Sequence, residues 1–139
     1  MSTTSTEQAE LGRFLTIAGR RFAAGQPAPE MFSPAVDAAW HELLDSPGYP
    51  AFCAEHAGRS IGHAPGSGAG PVSWVRDYEA LFGVLPELWF TDREGRVDRE
   101  GVARYRETGV VVAEWDCSPV PGDGGDDAVP VPQREPAAS

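Results

Sequence analysis

Side chains that can bind metals or transfer protons are concentrated in one short part of this sequence. All three histidines lie within residues 37–63, with one of the two cysteines and an aspartate: Asp37, His41, Cys53, His56 and His63. Imidazole and thiolate groups suit zinc, iron or copper. We therefore predict a metal site in which His41, Cys53 and His63 are ligands. Asp37 or His56 would be a fourth ligand or would orient an imidazole.

The same residues also fit a polar core without a metal. Asp37 precedes His41 by four residues, so the two can form a hydrogen bond on one helix face. A buried cysteine such as Cys53 commonly packs as a small apolar residue. His56, near the end of a predicted helix, would be favoured there by the helix dipole. The spacing of His41, Cys53, His56 and His63 matches no standard zinc finger.

A third alternative is nucleophilic catalysis by a cysteine–histidine pair. Cys53 with His56 or His41 has the residue types for it, and Asp37 could orient the imidazole. No sequence feature indicates an oxyanion hole or a substrate cleft, and a cysteine on the apolar face of a helix is usually core. A second thiol, Cys117, lies near the expected end of the domain and could complete a metal site.

Apolar periodicity predicts five helices to position these groups. They cover approximately residues 7–24, 34–44, 47–57, 71–83 and 98–106. A serine–proline pair stands at the start of the second predicted helix and another at the start of the third. A glycine follows four of the five predicted helices. The link between the second and third helices is so short that we expect these helices to pack as neighbours.

The other segments predict no sheet. Residues 62–70 are rich in glycine and lack the Lys-Ser/Thr ending of a phosphate-binding loop, which predicts a flexible connection. Three valines at 110–112 favour an extended arm without an evident partner strand. Residues 118–139 hold five prolines and no aromatic residue, and residues 1–6 are polar, so both termini are predicted to be disordered. The expected fold is an all-α domain of about five helices in residues 7–117.

Composition disfavours several classes of function. The formal net charge is −10, and the basic residues are scattered arginines, which disfavours binding to nucleic acids and to acidic membranes. No run approaches the roughly 20 apolar residues of a membrane span, and the N-terminus lacks the pattern of a secretory signal. We therefore expect a cytoplasmic protein with reduced cysteines. No substrate, partner or oligomeric state is indicated.

One stretch resembles a known family. Residues 36–63 contain Val-Asp-x-x-Trp-His-x-x-Leu, then Pro-x-Tyr-x-x-Phe-Cys, then Gly-x-x-Ile-x-His. This order resembles the repeated segment of the glycine-rich domain-containing protein-like family, which is found in plant multidomain proteins and in small bacterial proteins. The match covers 28 residues, a fifth of the chain. The family is largely without an assigned biochemical activity.

The resemblance implies a helical module with one polar cluster: Asp37, Trp40, His41, Tyr49, Cys53 and His63. The chain departs from the family pattern at two places. Relatives often carry a further histidine where Leu43 stands, and a His-His pair where Gly62-His63 stands. If those histidines bind metal in the relatives, this chain has lost two of the ligands.

The leading interpretation is a small cytosolic binding or accessory protein with a centre that binds zinc, or else iron or copper. Two alternatives remain open at this point. One is an enzyme that uses the same cluster, either with a metal or through a Cys–His nucleophile. The other is a structural interaction protein in which the cluster is part of the core.

Overall fold

The computed structural model describes residues 6–122. The elements are α1 (Thr6–Ala23), α2 (Pro34–Leu44), α3 (Tyr49–Ala57), β1 (Ile61–Pro71), α4 (Val75–Phe82), a 3-10 helix (Glu87–Phe90), α5 (Arg99–Thr108) and β2 (Val112–Pro121). The prediction of an all-α fold is wrong, because β1 and β2 form an antiparallel sheet and the fold is mixed α/β. Residues 1–5 and 123–139 of the predicted disordered termini lie outside the described residues.

The helix boundaries follow local sequence signals. Ser33 caps α2, where its side-chain oxygen accepts the N–H of Val36 at 3.2 Å. Asp98 caps α5 in the same way. The fourth helix begins at Val75 rather than at Pro71, because Pro71 is still the last residue of β1.

The first helix lies at the centre of the helical part. α2 and α3 each pack chiefly against α1, and contact between the two is limited, although Trp40 of α2 donates to the hydroxyl of Tyr49 of α3. Two glycines of α1 allow the close approach of α3. A β-carbon at Gly19 would lie 2.5 Å from the carbonyl oxygen of Ala57, and one at Gly12 would lie 2.7 Å from the ring of His56.

Buried aromatic side chains form the core next to α1. Phe14 contacts the rings of Trp40, Trp74 and Trp89, with centroids 5.4–5.8 Å apart. All four side chains are fully buried. The tryptophans are therefore core residues, and the indole N–H groups of Trp40 and Trp74 find acceptors in Tyr49 and in the carbonyl of Glu30.

The sheet joins two segments for which the sequence predicted no strand pairing. Its register runs from Ile61 opposite Pro121 to Pro71 opposite Val112, with an irregularity between Pro65 and Gly68. The sequence of β1 is IGHAPGSGAGP, which has low strand propensity, so the ladder with β2 overrides local preference. Residues 118–121 belong to β2 and not to a disordered tail. No described helix is long and apolar enough to cross a membrane.

Candidate metal centre

The first turn of α2 and the two strands bring three potential metal ligands together. These are Asp37 of α2, His63 of β1 and Cys117 of β2, whose ligand atoms all lie within 4.8 Å of one another. The thiol of Cys117 donates to Asp37 Oδ1 at 3.2 Å. The antiparallel register places Cys117 opposite Pro65, which lies two residues after His63 on β1. The side chains of Cys117 and His63 therefore lie on the same face of the sheet, and both are near the Asp37 carboxylate.

Two further side chains hold the other carboxylate oxygen of Asp37. His41 Nε2 lies 3.3 Å from Oδ2, and Arg93 Nη2 lies 3.5 Å from it. His41 also lies edge-to-face against the ring of His63, at 4.6 Å between centroids. We call Asp37, His41, His63 and Cys117 the Asp37 cluster. Its carboxylate is thus oriented by contacts to both oxygens.

His63 carries a buried nitrogen that has no hydrogen-bond partner. Its ring lies edge-to-face against Trp40, and its Nε2 is buried and unpaired within the described residues. Burial, with a smaller effect from His41, lowers the pKa of His63. Neutral imidazole is the form that binds metal ions, and an unsatisfied buried polar atom costs about 1–3 kcal/mol. Any partner that binds Nε2, a metal ion included, would remove that cost.

Cys117 is a protonated thiol in the arrangement described. Burial, and next the hydrogen bond to Asp37, raise the pKa of Cys117 to about 12. A bound cation reverses this preference, because a thiol that coordinates a metal loses its proton. The thiol proton now lies between the sulfur and Asp37 Oδ1, and a metal would take its place.

The separation of Cys117 and Asp37 is close to that of two ligands on a tetrahedrally coordinated ion. Zinc–sulfur and zinc–oxygen bonds of roughly 2.3 and 2.0 Å give a sulfur–oxygen separation of about 3.5 Å. The observed separation between Cys117 Sγ and Asp37 Oδ1 is 3.2 Å. The widest separation in the set is at most 4.8 Å, so the groups need shifts of about 1 Å to close on one ion.

The structure places two of the predicted ligands elsewhere. Cys53 is buried with its Sγ 3.9 Å from the carbonyl oxygen of Ile61, which also accepts the hydroxyl of Tyr49. The ring of His56 lies against Phe52 at 4.4 Å and faces α1. These two residues belong to the packing around α3 and are not part of the Asp37 cluster.

The cluster that the family resemblance implies is therefore divided. One half is Asp37, His41 and His63, and the other is Tyr49 and Cys53, with Trp40 between them. Cys117 supplies the thiol that Cys53 was predicted to supply, and both cysteines are free. The signal for Cys117 was weak, because it depends on a strand pairing with no local sequence pattern.

An open cleft gives access to the cluster. Asp37, Cys117 and Arg93 line this space of about 360 Å³, together with Trp115 and the segment before α2. Clefts of this size hold small ligands. A ligand in the cleft would therefore meet the side of the cluster formed by the carboxylate and the thiol.

Comparisons with protein-family models, with curated proteins and with solved structures found no match. The resemblance of residues 36–63 to the glycine-rich domain-containing protein-like family stays a prediction. Function is therefore inferred from the geometry and chemistry of the Asp37 cluster and its surroundings.

Proposed function

We propose that this chain is a small metal-binding protein in which Asp37, His63 and Cys117 hold one transition-metal ion. The observation that carries the proposal is the convergence of a carboxylate, an imidazole and a thiol from three elements, with His63 Nε2 buried and unpaired. The proposal retains the expectations of a binding or accessory role and of a cytoplasmic setting, which are inferences from the sequence.

Zinc is the ion that fits this donor set best. Nitrogen, oxygen and sulfur ligands in near-tetrahedral spacing are typical of zinc, and a single thiolate also allows iron or copper. A fourth ligand could come from His41, whose half-exposed ring already lies 3.3 Å from Asp37. Alternatively, water or a small molecule from the cleft would occupy that position.

A metal-assisted enzyme is the second candidate function. Catalytic zinc sites typically have three protein ligands and one open position, and here a cleft borders Asp37 and Cys117. His41 would be placed beside the ion as a proton acceptor. The alternative of a Cys–His nucleophile has little support, because the raised pKa of Cys117 disfavours its thiolate and Cys53 faces a carbonyl.

Arg93 is the group that opposes a cation at this site. Its guanidinium lies 3.5 Å from Asp37 Oδ2, but its side chain is 60% exposed. Exposed ion pairs of this kind contribute at most about 1 kcal/mol, so Arg93 can turn into solvent when an ion binds. If no metal binds, the same contacts would form a polar part of the core in which Asp37 pairs with Arg93.

Elemental analysis of the purified, untagged protein tests the proposal. The protein is reconstituted with zinc, dialysed and analysed beside Cys117→Ser and Cys53→Ser. These variants remove the two buried free thiols one at a time, so each is a matched control for the other. Cobalt substitution gives a second readout, since a thiolate ligand produces a charge-transfer absorption band.

We expect near-stoichiometric zinc in the wild type and in Cys53→Ser, and loss of zinc and of the cobalt–thiolate band in Cys117→Ser. Circular dichroism confirms that both variants are folded. A wild-type protein that retains no metal after reconstitution would disprove the proposal and leave the polar core. Loss of metal only in Cys53→Ser would move the site to α3.

A further inference from the structure

The edge of β2 that does not face β1 borders a groove. Among the described residues, β2 has β1 as its hydrogen-bonded neighbour and no other strand. Consecutive residues 111–117 line two clefts, of about 430 and 360 Å³. If one face of a strand borders a cleft, only every second residue of the strand lines that cleft. Consecutive lining residues therefore indicate that the backbone edge of β2 borders these clefts.

The two clefts form one groove. They share Phe32, Pro34 and Glu114, and the second cleft includes Asp37 and Cys117. The lining of the first cleft includes the apolar side chains of Phe32 and Phe90. The groove thus extends along β2 from the cleft that contains Phe90 to the cleft that contains the Asp37 carboxylate.

The backbone of β2 has groups available for a further strand. Val72 N–H donates to the carbonyl of Val111, and residues of an antiparallel pair alternate between bonded and unbonded positions. By this alternation, Val112 and Glu114 direct their N–H and C=O groups away from β1. Val112 lies opposite Pro71, which has no backbone N–H and therefore cannot donate to the carbonyl of Val112. No proline interrupts residues 112–117, so this part of the edge can accept a strand.

The groove carries an excess of negative charge. Two arginines line it, Arg93 and Arg96, against five carboxylates: Asp37, Asp92, Asp98, Glu114 and Asp116. This surface favours a basic partner and disfavours an acidic one. A second copy of this chain, with a net charge of −10, is repelled by the same charges.

We propose that the groove binds an extended basic peptide segment of a partner protein, which adds to the free edge of β2 as a third strand. Main-chain hydrogen bonds to Val112 and Glu114 supply pairing, and the carboxylates of the groove select basic side chains. The proposal goes beyond metal binding and does not require an ion, although the groove ends at the Asp37 cluster.

Fluorescence polarisation with labelled peptides tests the proposal. The probe is a capped octapeptide of alternating arginine and threonine, compared with its glutamate–threonine counterpart. A third peptide has the basic sequence with every backbone N–H methylated, so it keeps the charges but cannot donate to the strand edge. All titrations contain EDTA, so that a failure of peptide binding is independent of a failure of metal binding.

We expect the basic peptide to bind at least about tenfold more tightly than either control peptide. Glu114→Arg should weaken its binding about tenfold, whereas Glu55→Arg, which reverses the charge of another exposed glutamate, on α3, should not. Equal binding of the methylated peptide would disprove strand addition. Equal effects of the two charge reversals, or no binding of the basic peptide, would also disprove the proposal, as would dimerisation through β2 in sedimentation experiments.

Discussion

Glu10 and His63 are both polar side chains with buried atoms, but their surroundings satisfy them to different degrees. Glu10 is 5% exposed, and its Oε1 accepts the hydroxyl of Tyr78 at 2.6 Å and the indole N–H of Trp89 at 2.9 Å. Arg13 donates to the same hydroxyl and lies 3.4 Å from Oε2. We call these four residues the Glu10 network. It joins α1 to α4 and to the 3-10 helix.

The Asp37 cluster has comparable chemistry but remains incomplete. The Nε2 of His63 has no partner among residues 6–122, and the Cys117 proton lies where a cation could replace it. A buried network whose donors and acceptors are all used fixes its elements and leaves no position for a ligand. A buried polar atom without a partner requires an explanation, and a missing ligand is one. The first region therefore fits a structural role, and the second fits the metal site that we propose.

The largest expected effect is on the Glu10 network. Glu10→Leu leaves the Tyr78 hydroxyl and the Trp89 N–H buried without their acceptor. We expect the free energy of unfolding to fall by about 3–5 kcal/mol, measured by urea denaturation. Glu10→Gln retains an acceptor oxygen and should cost about 1–2 kcal/mol. A cost below about 1 kcal/mol for the leucine variant would contradict a structural role.

The next effect separates the two regions by their response to zinc. Zinc at a free concentration 100 times its dissociation constant should raise the free energy of unfolding by about 2.7 kcal/mol. The same increase is expected in Glu10→Gln, because that network takes no part in binding. Cys117→Ser should show no increase. An increase of equal size in Cys117→Ser would mean that zinc stabilises the protein from another site.

Local signals explain which parts of the fold could be predicted. The caps of α2 and α5 depend on Ser33 and Asp98, whose bonds reach only three residues along the chain. The sheet depends on residues 61–71 meeting residues 112–121, and neither the glycines of β1 nor its two prolines, Pro65 and Pro71, predict a strand. Only the tertiary pairing makes this segment extended.

The same distinction between local signals and tertiary pairing explains which residues of the candidate site could be predicted. Asp37, His41 and His63 lie close in sequence, and the structure does bring them together, although their binding to metal stays a prediction. Cys53 was placed with them by helical spacing, whereas Cys117 is brought there by the register of the sheet. A buried Glu10 is not predicted from the sequence, although this residue lies one helical turn before the buried Phe14.

The smallest expected effect is the pH dependence of metal binding. The pKa of the Cys117 thiol is raised to about 12 in the metal-free protein, so binding must release its proton at any pH below that value. The pKa of His63 is lowered from the ordinary value, so its imidazole releases no further proton above about pH 7. The apparent dissociation constant for zinc should therefore fall about tenfold for each unit of rising pH. Competition with a chromophoric chelator between about pH 7 and 8.5 measures this slope.

Calorimetry in two buffers of different ionisation enthalpy directly measures the number of protons that are released when zinc binds. We expect about one proton released for each zinc bound. A flat profile in the wild type would mean that the Cys117 thiol is not a ligand, and a release of two protons would mean that an imidazole of the cluster, His63 or His41, is protonated before binding. Either result would contradict zinc binding by a neutral imidazole and a protonated thiol. The difference between the Asp37 cluster and the Glu10 network would then need another explanation.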